Sequence, residues 1–249
     1  MKIWAIGDLH LAQDSQKPMD IFGPQWERHT EKVKEAWEQM ITSEDVVLLP
    51  GDLSWGMRLS EAEKDLAFLE ALPGHKICLK GNHDYWWKSL KKLESKGYQT
   101  LSFLQNNAVL LGKWGICGTR GWWMAGDESR ALEDEKILKR EHIRLQLSLD
   151  AAIKQGARRL LVMLHYPPTL GGEQQSLFTN LLKKYPVEQV VYGHLHDKAS
   201  WQQALKGLHE GITYHLVAAD YLNFKPLCIV SDEITKDKER NSHEITSCI

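Results

Sequence analysis

The amino-acid sequence predicts a mixed, layered α/β fold in one domain that spans residues 1–230. In the first third of the chain, short apolar runs rich in β-forming residues alternate with helical stretches. Such alternation is typical of parallel strands joined by crossover helices. No repeat, low-complexity tract or linker-like segment interrupts the sequence between Met1 and Val230. Residues 231–249 are polar and charged, and we interpret them as a peripheral C-terminal tail.

The predicted strands are short runs of apolar and β-branched residues. We expect them at residues 2–6, 46–49, 76–79, 108–111, 115–118, 160–164, 189–192, 213–217 and 227–230. The strands of the second half follow one another with few helices between them. We therefore expect antiparallel pairing among these later strands.

Helical patterns account for the longer segments between the strands. They predict helices at residues 26–41, 60–72, 85–96, 132–155 and 174–184. Ser60 and Glu63 have the spacing of a capping box, which predicts that the second helix opens there.

Composition and charge exclude several classes of protein. Of the 249 residues, 43% are hydrophobic and 26% charged, as in ordinary globular proteins. The 31 Lys and Arg residues nearly balance 33 Asp and Glu residues, so a net charge of −2 gives no overall attraction to nucleic acid or to an anionic membrane. The widely spaced cysteines indicate reduced thiols packed mostly in the core. The first apolar run is too short and too polar for a signal peptide or a membrane span, so we expect a cytoplasmic protein.

Polar residues follow five predicted strands at the points where ligands gather in open α/β sheets. The set comprises Asp8, His10, Asp52, Asn82, His83, His165, His194 and His196. Imidazole nitrogen suits Zn and Fe, whereas carboxylate and amide oxygen suit Mn. The sequence therefore predicts a site for divalent Mn, Fe or Zn at these strand ends.

The order of these motifs resembles that of the calcineurin-like metallophosphoesterase family: D-x-H at residues 8–10, G-D at 51–52, G-N-H-D at 81–84, then His165 and G-H-x-H at 193–196. The resemblance implies a four-layer α/β/β/α sandwich of two mixed sheets flanked by helices. It also implies two divalent metal ions that share Asp52 as a ligand. Asp8, His10, Asp52 and His196 would hold one ion, and Asp52, Asn82, His165 and His194 the other.

The same resemblance implies hydrolysis of a phosphate ester by a hydroxide that bridges the two ions. It gives His83 the role of general acid or transition-state stabiliser, and we expect Asp84 to fix the tautomer of His83. Arg120 follows a predicted strand and is a candidate for bidentate contact with the substrate phosphate. Surface or structural roles are expected for the histidines that lack the strand-end context, namely His29, His75, His142, His209, His215 and His243.

Within the family, the sequence favours the bacterial phosphohydrolase and phosphodiesterase-like branch. The D-R-G of protein Ser/Thr phosphatases does not follow Asp52, and His83 stands where lipid A pathway pyrophosphatases have Arg. We expect a small phosphate mono- or diester as the substrate, with a preference for a diester and with nucleotides as candidates. The alternatives are a nuclease of the same superfamily, which would need a local basic groove, and a non-catalytic scaffold on the same fold. The sequence leaves the oligomeric state open.

Overall fold

The computed structural model describes residues 1–13, 17–123, 131–169 and 171–231. Its strands are β1 (Ile3–Ala5), β2 (Val46–Leu49), β3 (His75–Leu79), β4 (Leu101–Leu104), β5 (Val109–Leu111), β6 (Trp114–Thr119), β7 (Arg159–Leu164), β8 (Val187–Tyr192), β9 (Gly207–His209), β10 (Ile212–Leu216) and β11 (Leu227–Val230). Its α-helices are α1 (His29–Met40), α2 (Leu59–Ala71), α3 (Leu90–Glu94), α4 (Ala131–Lys154), α5 (Leu177–Leu182) and α6 (Lys198–Gln203). Across these described ranges, every helix is too short or too polar to span a bilayer.

The first sheet has five strands in the order β11–β1–β2–β3–β4. Strands β1 to β4 run parallel, with Ile3 opposite Val46 and Val46 opposite His75, and β11 pairs antiparallel with β1. The alternation of strands and helices predicted for the first third of the chain is confirmed. Because parallel strands end at the same edge, the loops after β1, β2 and β3 lie side by side.

The second sheet has six strands in the order β5–β6–β7–β8–β10–β9. The central strands β6, β7, β8 and β10 run parallel, and the edge strands β5 and β9 pair antiparallel with their neighbours. The expected antiparallel pairing is therefore wrong for the centre of this sheet. Helices α4 and α5 lie between successive parallel strands in the chain and provide the crossovers that parallel pairing requires.

Three hydrophobic clusters join four layers. In the middle cluster, Ile3 and Ala5 of the first sheet share a core with Ile116 and Met163 of the second sheet. Trp4 points to the opposite face, as strand geometry requires, and packs in the cluster formed with α1 and α2. Helices α4 and α5 cover the outer face of the second sheet. The predicted α/β/β/α sandwich is confirmed.

The start of α2 differs from its prediction. Arg58 is the N-cap, and no side-chain hydrogen bond caps the helix. The predicted capping box is therefore wrong: Ser60 lies inside the first turn, and Glu63 pairs with Lys96 at 2.5 Å. Tertiary pairing of Glu63 replaces the local bond that the spacing suggested.

Some helices of the structure are shorter than the sequence predicts, and three short elements were not predicted. The helix expected at residues 85–96 is confined to Leu90–Glu94, because Ser89 caps its start by accepting a bond from the N–H of Lys92. Ser176 likewise begins α5 with a capping box to Thr179. The sequence patterns do not predict β4, β9 or α6, which are short. The predicted tail lies outside the described residues except for Ser231.

The two sheets meet at the carboxyl ends of β1 and β10. The N–H of Gly7 donates to the carbonyl of Val217 at 2.7 Å, and the N–H of Ala219 donates to the carbonyl of Gly7 at 3.0 Å. These bonds form a parallel bridge between Gly7 and Ala218. The loops that leave both sheets therefore converge at one end of the sandwich.

Cys78 and Cys117 are buried, as expected of core thiols. Cys248 lies outside the described residues.

Candidate metal centre

Loops after β1, β2, β3, β7 and β8 bring the predicted ligands together at the convergent end of the sheets. They carry Asp8, His10, Asp52, Asn82, His165, His194 and His196. Two clusters form, each with ligand atoms within 4.8 Å of one another: the first ligand group is Asp8, His10 and His196, and the second is Asp52, His165 and His194. The structure thus brings together side chains that are far apart in the sequence.

Two members of the first ligand group are buried, and the third, His196, is partly open to solvent. Asp8 is fully buried, and its Oδ1 lies 3.7 Å from Nε2 of His196. His10 is also buried, and its Nε2 lies 3.8 Å from Oδ2 of Asp52. A carboxylate and two imidazoles therefore face one small space, which is a donor set suited to a divalent cation.

In the second ligand group, His165 has a fixed tautomer. Its Nδ1 lies 3.0 Å from the carbonyl oxygen of Pro50, so Nδ1 carries the proton and Nε2 presents a lone pair. That Nε2 lies 2.6 Å from Oδ1 of Asn82 and 3.3 Å from Nδ1 of His194. Because an unprotonated ring nitrogen and an amide oxygen are both acceptors, a cation between them would turn a repulsive contact into a binding site.

Asp52 lies between the two ligand groups. Its Oδ2 is 3.8 Å from Nε2 of His10 in the first group and 3.5 Å from Nε2 of His165 in the second. Its Oδ1 accepts a hydrogen bond of 2.8 Å from the backbone N–H of His83. That bond orients the carboxylate so that one oxygen faces both groups.

The backbone is strained where it presents these ligands. Asp8, His10, Asp52 and His194 have φ values of 54°, 44°, 53° and 73°. A non-glycine residue in this left-handed region costs roughly 1–2 kcal/mol. Strain of this kind persists where the surrounding structure enforces it, and it concentrates at functional sites.

Two glycines allow the loops to approach the carboxylates closely. A Cβ atom at Gly81 would collide with the side chain of Asp52, and one at Gly193 would collide with that of Asp8. Both positions therefore exclude any side chain, which explains why glycine precedes Asn82 and His194.

Burial favours the neutral form of three histidines in the ligand groups, His10, His165 and His194. It lowers the pKa of His165 to about 3 and that of His194 to about 2, and it lowers the pKa of His10 well below its usual value. It also raises the pKa values of Asp8 and Asp52, in each case with opposition from nearby histidines. Neutral imidazoles are the form that binds metals, and a bound cation would offset the unfavourable burial of both carboxylates. The residues therefore fit divalent metal ions.

Asp220 contacts a predicted ligand, and the sequence patterns did not single it out. Its Oδ1 lies 3.1 Å from Nδ1 of His196, on the opposite side of the ring from Asp8. Burial opposes protonation of His196, but the hydrogen bond with Asp220 and the charge of Asp8 raise its pKa to about 9. A signal was available in the sequence, because Asp220 follows the apolar run of β10 as the predicted ligands follow their strands.

Asp84 does not have the predicted role. Its buried carboxylate accepts hydrogen bonds from the backbone N–H groups of Asp52, Leu53, Ser54 and Gly81 and from Nε1 of Trp86, at 2.8–3.2 Å. Burial raises the pKa of Asp84 to about 7, and the N–H donors oppose that rise. The expectation that Asp84 fixes the tautomer of His83 is wrong, because its carboxylate holds the loops after β2 and β3 instead.

His83 lies next to the first ligand group. Its ring centroid is 5.7 Å from that of His10 and 4.5 Å from that of Trp55. Burial lowers the pKa of His83, although the Asp52 carboxylate raises it in part. A half-buried imidazole with a lowered pKa therefore lies beside His10 of the first ligand group.

Arg120 lies beside the second ligand group. It lines a cavity of about 400 Å³ together with the predicted ligand Asn82, the acidic residue Asp134 and the aromatic residues Tyr85, Trp122, Trp123 and Tyr166. Its guanidinium carbon is 4.9 Å from the ring centroid of Trp122. Arg120 thus lies at the same end of the fold as the predicted metal ligands, and its contact with substrate stays a prediction.

His29 and His215 contact protein groups, as expected of structural residues. His29 contacts the carbonyl oxygens of Trp26 and His10 at 3.2 and 3.3 Å. His215 contacts the side chain of Gln189 at 2.8 Å. Both rings therefore act in packing, and His29 also supports the loop that carries His10.

The fold and the two ligand groups define the class of metal-dependent phosphoesterases. The family model for calcineurin-like phosphoesterases matches residues 1–198, which is most of the chain. The chain belongs to the calcineurin-like phosphoesterase family, and the resemblance seen in its motifs is confirmed.

Known proteins resemble this chain over different extents. The Gene 66 protein of Mycobacterium phage D29 is 32% identical over 83 residues, which are 33% of this chain and 40% of the phage protein. The Gene 66 protein of Mycobacterium phage L5 is 27% identical over 81 residues, or 32% of this chain and 39% of the phage protein. The match thus spans about two fifths of each phage protein. The crystal structure of phosphopantetheinyl hydrolase from Mycobacterium tuberculosis aligns over 93% of this chain and 96% of its own, with a TM-score of 0.53 and 13% identity, which is a likeness of fold.

Proposed function

We propose that this protein hydrolyses a small phosphate ester, preferentially a diester, with two divalent metal ions. The observation that carries the proposal is the position of Asp52, whose Oδ2 lies within 4 Å of a histidine in each ligand group. One carboxylate oxygen can then serve two ions. Two ions supply an activated water nucleophile and positive charge that stabilises the transition state.

The two ligand groups divide the binding of the ions. Asp8, His10, Asp52 and His196 would hold one ion, and Asp52, Asn82, His165 and His194 would hold the other. The mixture of imidazole nitrogen with carboxylate and amide oxygen suits Mn, Fe or Zn. The complete donor set favours an enzyme over the alternative of a non-catalytic scaffold on the same fold.

His83 acts on the substrate in this proposal. Its lowered pKa favours a neutral ring at physiological pH, which can donate a hydrogen bond to a phosphate oxygen. We therefore infer that His83 chiefly stabilises charge in the transition state. Proton donation to the leaving group is its second possible role, and it requires that the bound phosphate raise the pKa of the ring.

The cavity beside Asn82 supports a substrate with an aromatic group. Its volume of about 400 Å³ and its walls of Tyr85, Trp122, Trp123 and Tyr166 suit a planar ring. A diester places a second organic group next to the phosphorus atom, and this cavity can receive it. Nucleotides therefore become the candidate substrates.

Hydrolysis of two chromogenic esters tests the proposal. Metal-free protein is assayed with bis-p-nitrophenyl phosphate and p-nitrophenyl phosphate, with and without added Mn²⁺. We expect Mn²⁺-dependent turnover, faster for the diester, and its loss in Asp52→Asn. Asp197→Asn is the control, because Asp197 caps α6 by accepting from the N–H of Ser200. Equal turnover by wild type and Asp52→Asn would contradict the mechanism.

A further inference from the structure

A second cavity lies behind Arg120, and its walls carry an excess of positive charge. The cavity has a volume of about 240 Å³. Its charged lining residues are Lys80, Lys88, Arg120, Arg140, Arg144 and Glu141. A group of five cations around one carboxylate is unusual in a chain whose net charge is −2, so the basic character is local. We call this space the basic cavity.

Glu141 does not neutralise the basic cavity. Its side chain is 1% exposed, and its Oε1 lies 2.7 Å from Nη1 of Arg144, 3.5 Å from Nε of Arg140 and 3.9 Å from Nη2 of Arg120. Its Oε2 accepts a hydrogen bond of 2.6 Å from Thr119. One negative charge therefore holds three guanidinium groups together and leaves a surplus of positive charge among them.

Arg120 has bonding capacity to spare. Its Nε is buried and has no hydrogen-bond partner in the described part of the chain. The Nη2 atom of Arg120 lies 3.9 Å from Oε1 of Glu141, which is too far for a hydrogen bond. A buried N–H donor without a partner is unfavourable, and an anionic oxygen would satisfy it.

The basic cavity adjoins the metal centre. Arg120 lines both the basic cavity and the aromatic cavity that contains Asn82. Lys80, on another wall of the basic cavity, precedes Gly81 and Asn82 in the loop after β3. The basic cavity and the aromatic cavity are therefore neighbours that share Arg120 as a lining residue.

The size of the basic cavity limits what it can hold. Its volume of about 240 Å³ is below the range of roughly 300–1,000 Å³ that is usual for pockets that enclose a whole ligand. Its walls offer hydrogen-bond donors from guanidinium and ammonium groups, which match phosphate oxygens. The cavity therefore suits a single phosphate group that belongs to a larger molecule.

We propose that the basic cavity binds a second phosphate group of the substrate, distinct from the phosphate that is hydrolysed. The substrate is then a nucleotide-class ester with at least one further phosphate. That phosphate is either a terminal group or the next linkage of a polynucleotide. This inference rests on the proposed function, because it takes the metal centre as the place of hydrolysis.

The kinetic test compares substrates that differ by one phosphate. The first is the p-nitrophenyl diester of thymidine monophosphate, and the second carries a further phosphate on the free sugar hydroxyl. The third is the p-nitrophenyl ester of a short oligothymidylate. We expect a higher kcat/KM for the second or the third than for the first, and a smaller advantage at high salt. An advantage of the second identifies a terminal phosphate, and an advantage of the third alone identifies a polynucleotide.

Two variants assign that advantage to the basic cavity. The variant Arg140→Gln removes a positive charge from α4, and Lys88→Gln removes one from the loop before α3. Neither residue is a predicted metal ligand. For each variant we divide kcat/KM for the substrate with the further phosphate by kcat/KM for the substrate without it. We expect this ratio to fall about threefold to fivefold, because the loss of one solvent-screened charge has an effect of that size. Lys139→Gln is the matched control: it removes a charge from α4 that pairs with Glu135 and lies outside the cavity lining. We expect its ratio to equal that of wild type.

A binding measurement separates failure of this inference from failure of the proposed function. Thymidine bisphosphate is titrated calorimetrically into metal-free protein, which requires no catalysis. Binding that weakens in Arg140→Gln but not in Lys139→Gln supports the basic cavity even if no ester is hydrolysed. Equal kcat/KM for all three substrates, together with binding that Arg140→Gln does not change, would overturn the inference.

Discussion

Oδ1 of Asp220 and Nδ1 of His196 lie 3.1 Å apart, so the ring of His196 is held with its Nε2 toward Asp8. Asp220 also accepts the backbone N–H of Tyr221 at 3.0 Å, which fixes its own position. Carboxylates that orient a metal-binding histidine tune the affinity of the site without touching the ion. Asp220 lies beyond residues 1–198, which match the family model.

The first prediction concerns Asp220→Ala. Loss of the carboxylate frees the ring of His196, so we expect the affinity of the first ligand group for Mn²⁺ to fall about 10–100-fold. Calorimetric titration of metal-free protein measures this affinity. Asp197→Asn is the control, since Asp197 precedes α6 and caps it. Unchanged Mn²⁺ affinity in Asp220→Ala would show that His196 needs no such support.

The second prediction concerns Asp84→Asn. The carboxylate accepts bonds from four backbone N–H groups and one indole N–H, and an amide NH₂ cannot replace an accepting oxygen. We expect the free energy of unfolding to fall by about 1–3 kcal/mol, together with weaker metal binding because the loop of Asp52 loosens. Chemical denaturation and metal titration measure the two effects. A variant as stable as wild type would mean that water satisfies these donors equally well.

The third prediction separates catalysis from metal binding. His83 lies outside both ligand groups, and its ring is near those of His10 and Trp55. We expect His83→Ala to retain the metal content of wild type and to lose about 10²–10⁴-fold in kcat. Elemental analysis and steady-state kinetics on the same preparation give both values. A parallel loss of metal and activity would instead make His83 a structural residue.

The fourth prediction is a pH dependence of stability at Asp45. Its carboxylate accepts hydrogen bonds from the backbone N–H of Lys2 at 2.7 Å and from that of Thr42 at 3.0 Å. These bonds connect the segments that precede β1 and β2. Burial alone would raise the pKa of Asp45, but these hydrogen bonds outweigh it and hold the pKa below its usual value. A depressed carboxyl pKa contributes stability above the pKa of the unfolded chain, about 3.9, and that contribution is lost as pH falls through the folded pKa.

Asp45→Asn tests this dependence. At pH 7 we expect a loss of about 1–2 kcal/mol in the free energy of unfolding, and the difference from wild type should shrink below about pH 4. Urea denaturation at several pH values measures it, with Glu44→Gln as an exposed control on the neighbouring residue. A difference that stays constant down to pH 2 would exclude ionisation of Asp45 as its source.

The ligand positions could be predicted because they follow strands directly. A glycine and a polar residue after an apolar run are visible in sequence, and parallel strands place such residues at one edge. The convergence of Asp8, Asp52 and His165 at one end of the fold was predicted in this way. Asp220 was missed because Val217, Ala218 and Ala219 separate it from the end of β10, and no second candidate ligand lies next to it in the sequence.

Other features depend on tertiary contacts that sequence patterns do not encode. The parallel pairing of β8 with β10 arises although α6 and β9 both lie between them in the chain. Asp84 is the sequence neighbour of His83, but its carboxylate accepts hydrogen bonds from the loop that contains Asp52, about 30 residues earlier in the chain. The clustering of Arg120, Arg140 and Arg144 around Glu141 joins the end of β6 to α4, which only packing brings together.

The central claim is that Asp52 serves two metal ions at once. Its most direct test is the number of Mn²⁺ ions bound per chain, measured by elemental analysis after metal-free protein is loaded and dialysed. We expect about two ions for wild type and loss of both from Asp52→Asn, since both sites would share that carboxylate. A single ion in wild type, or two ions retained in Asp52→Asn, would contradict it.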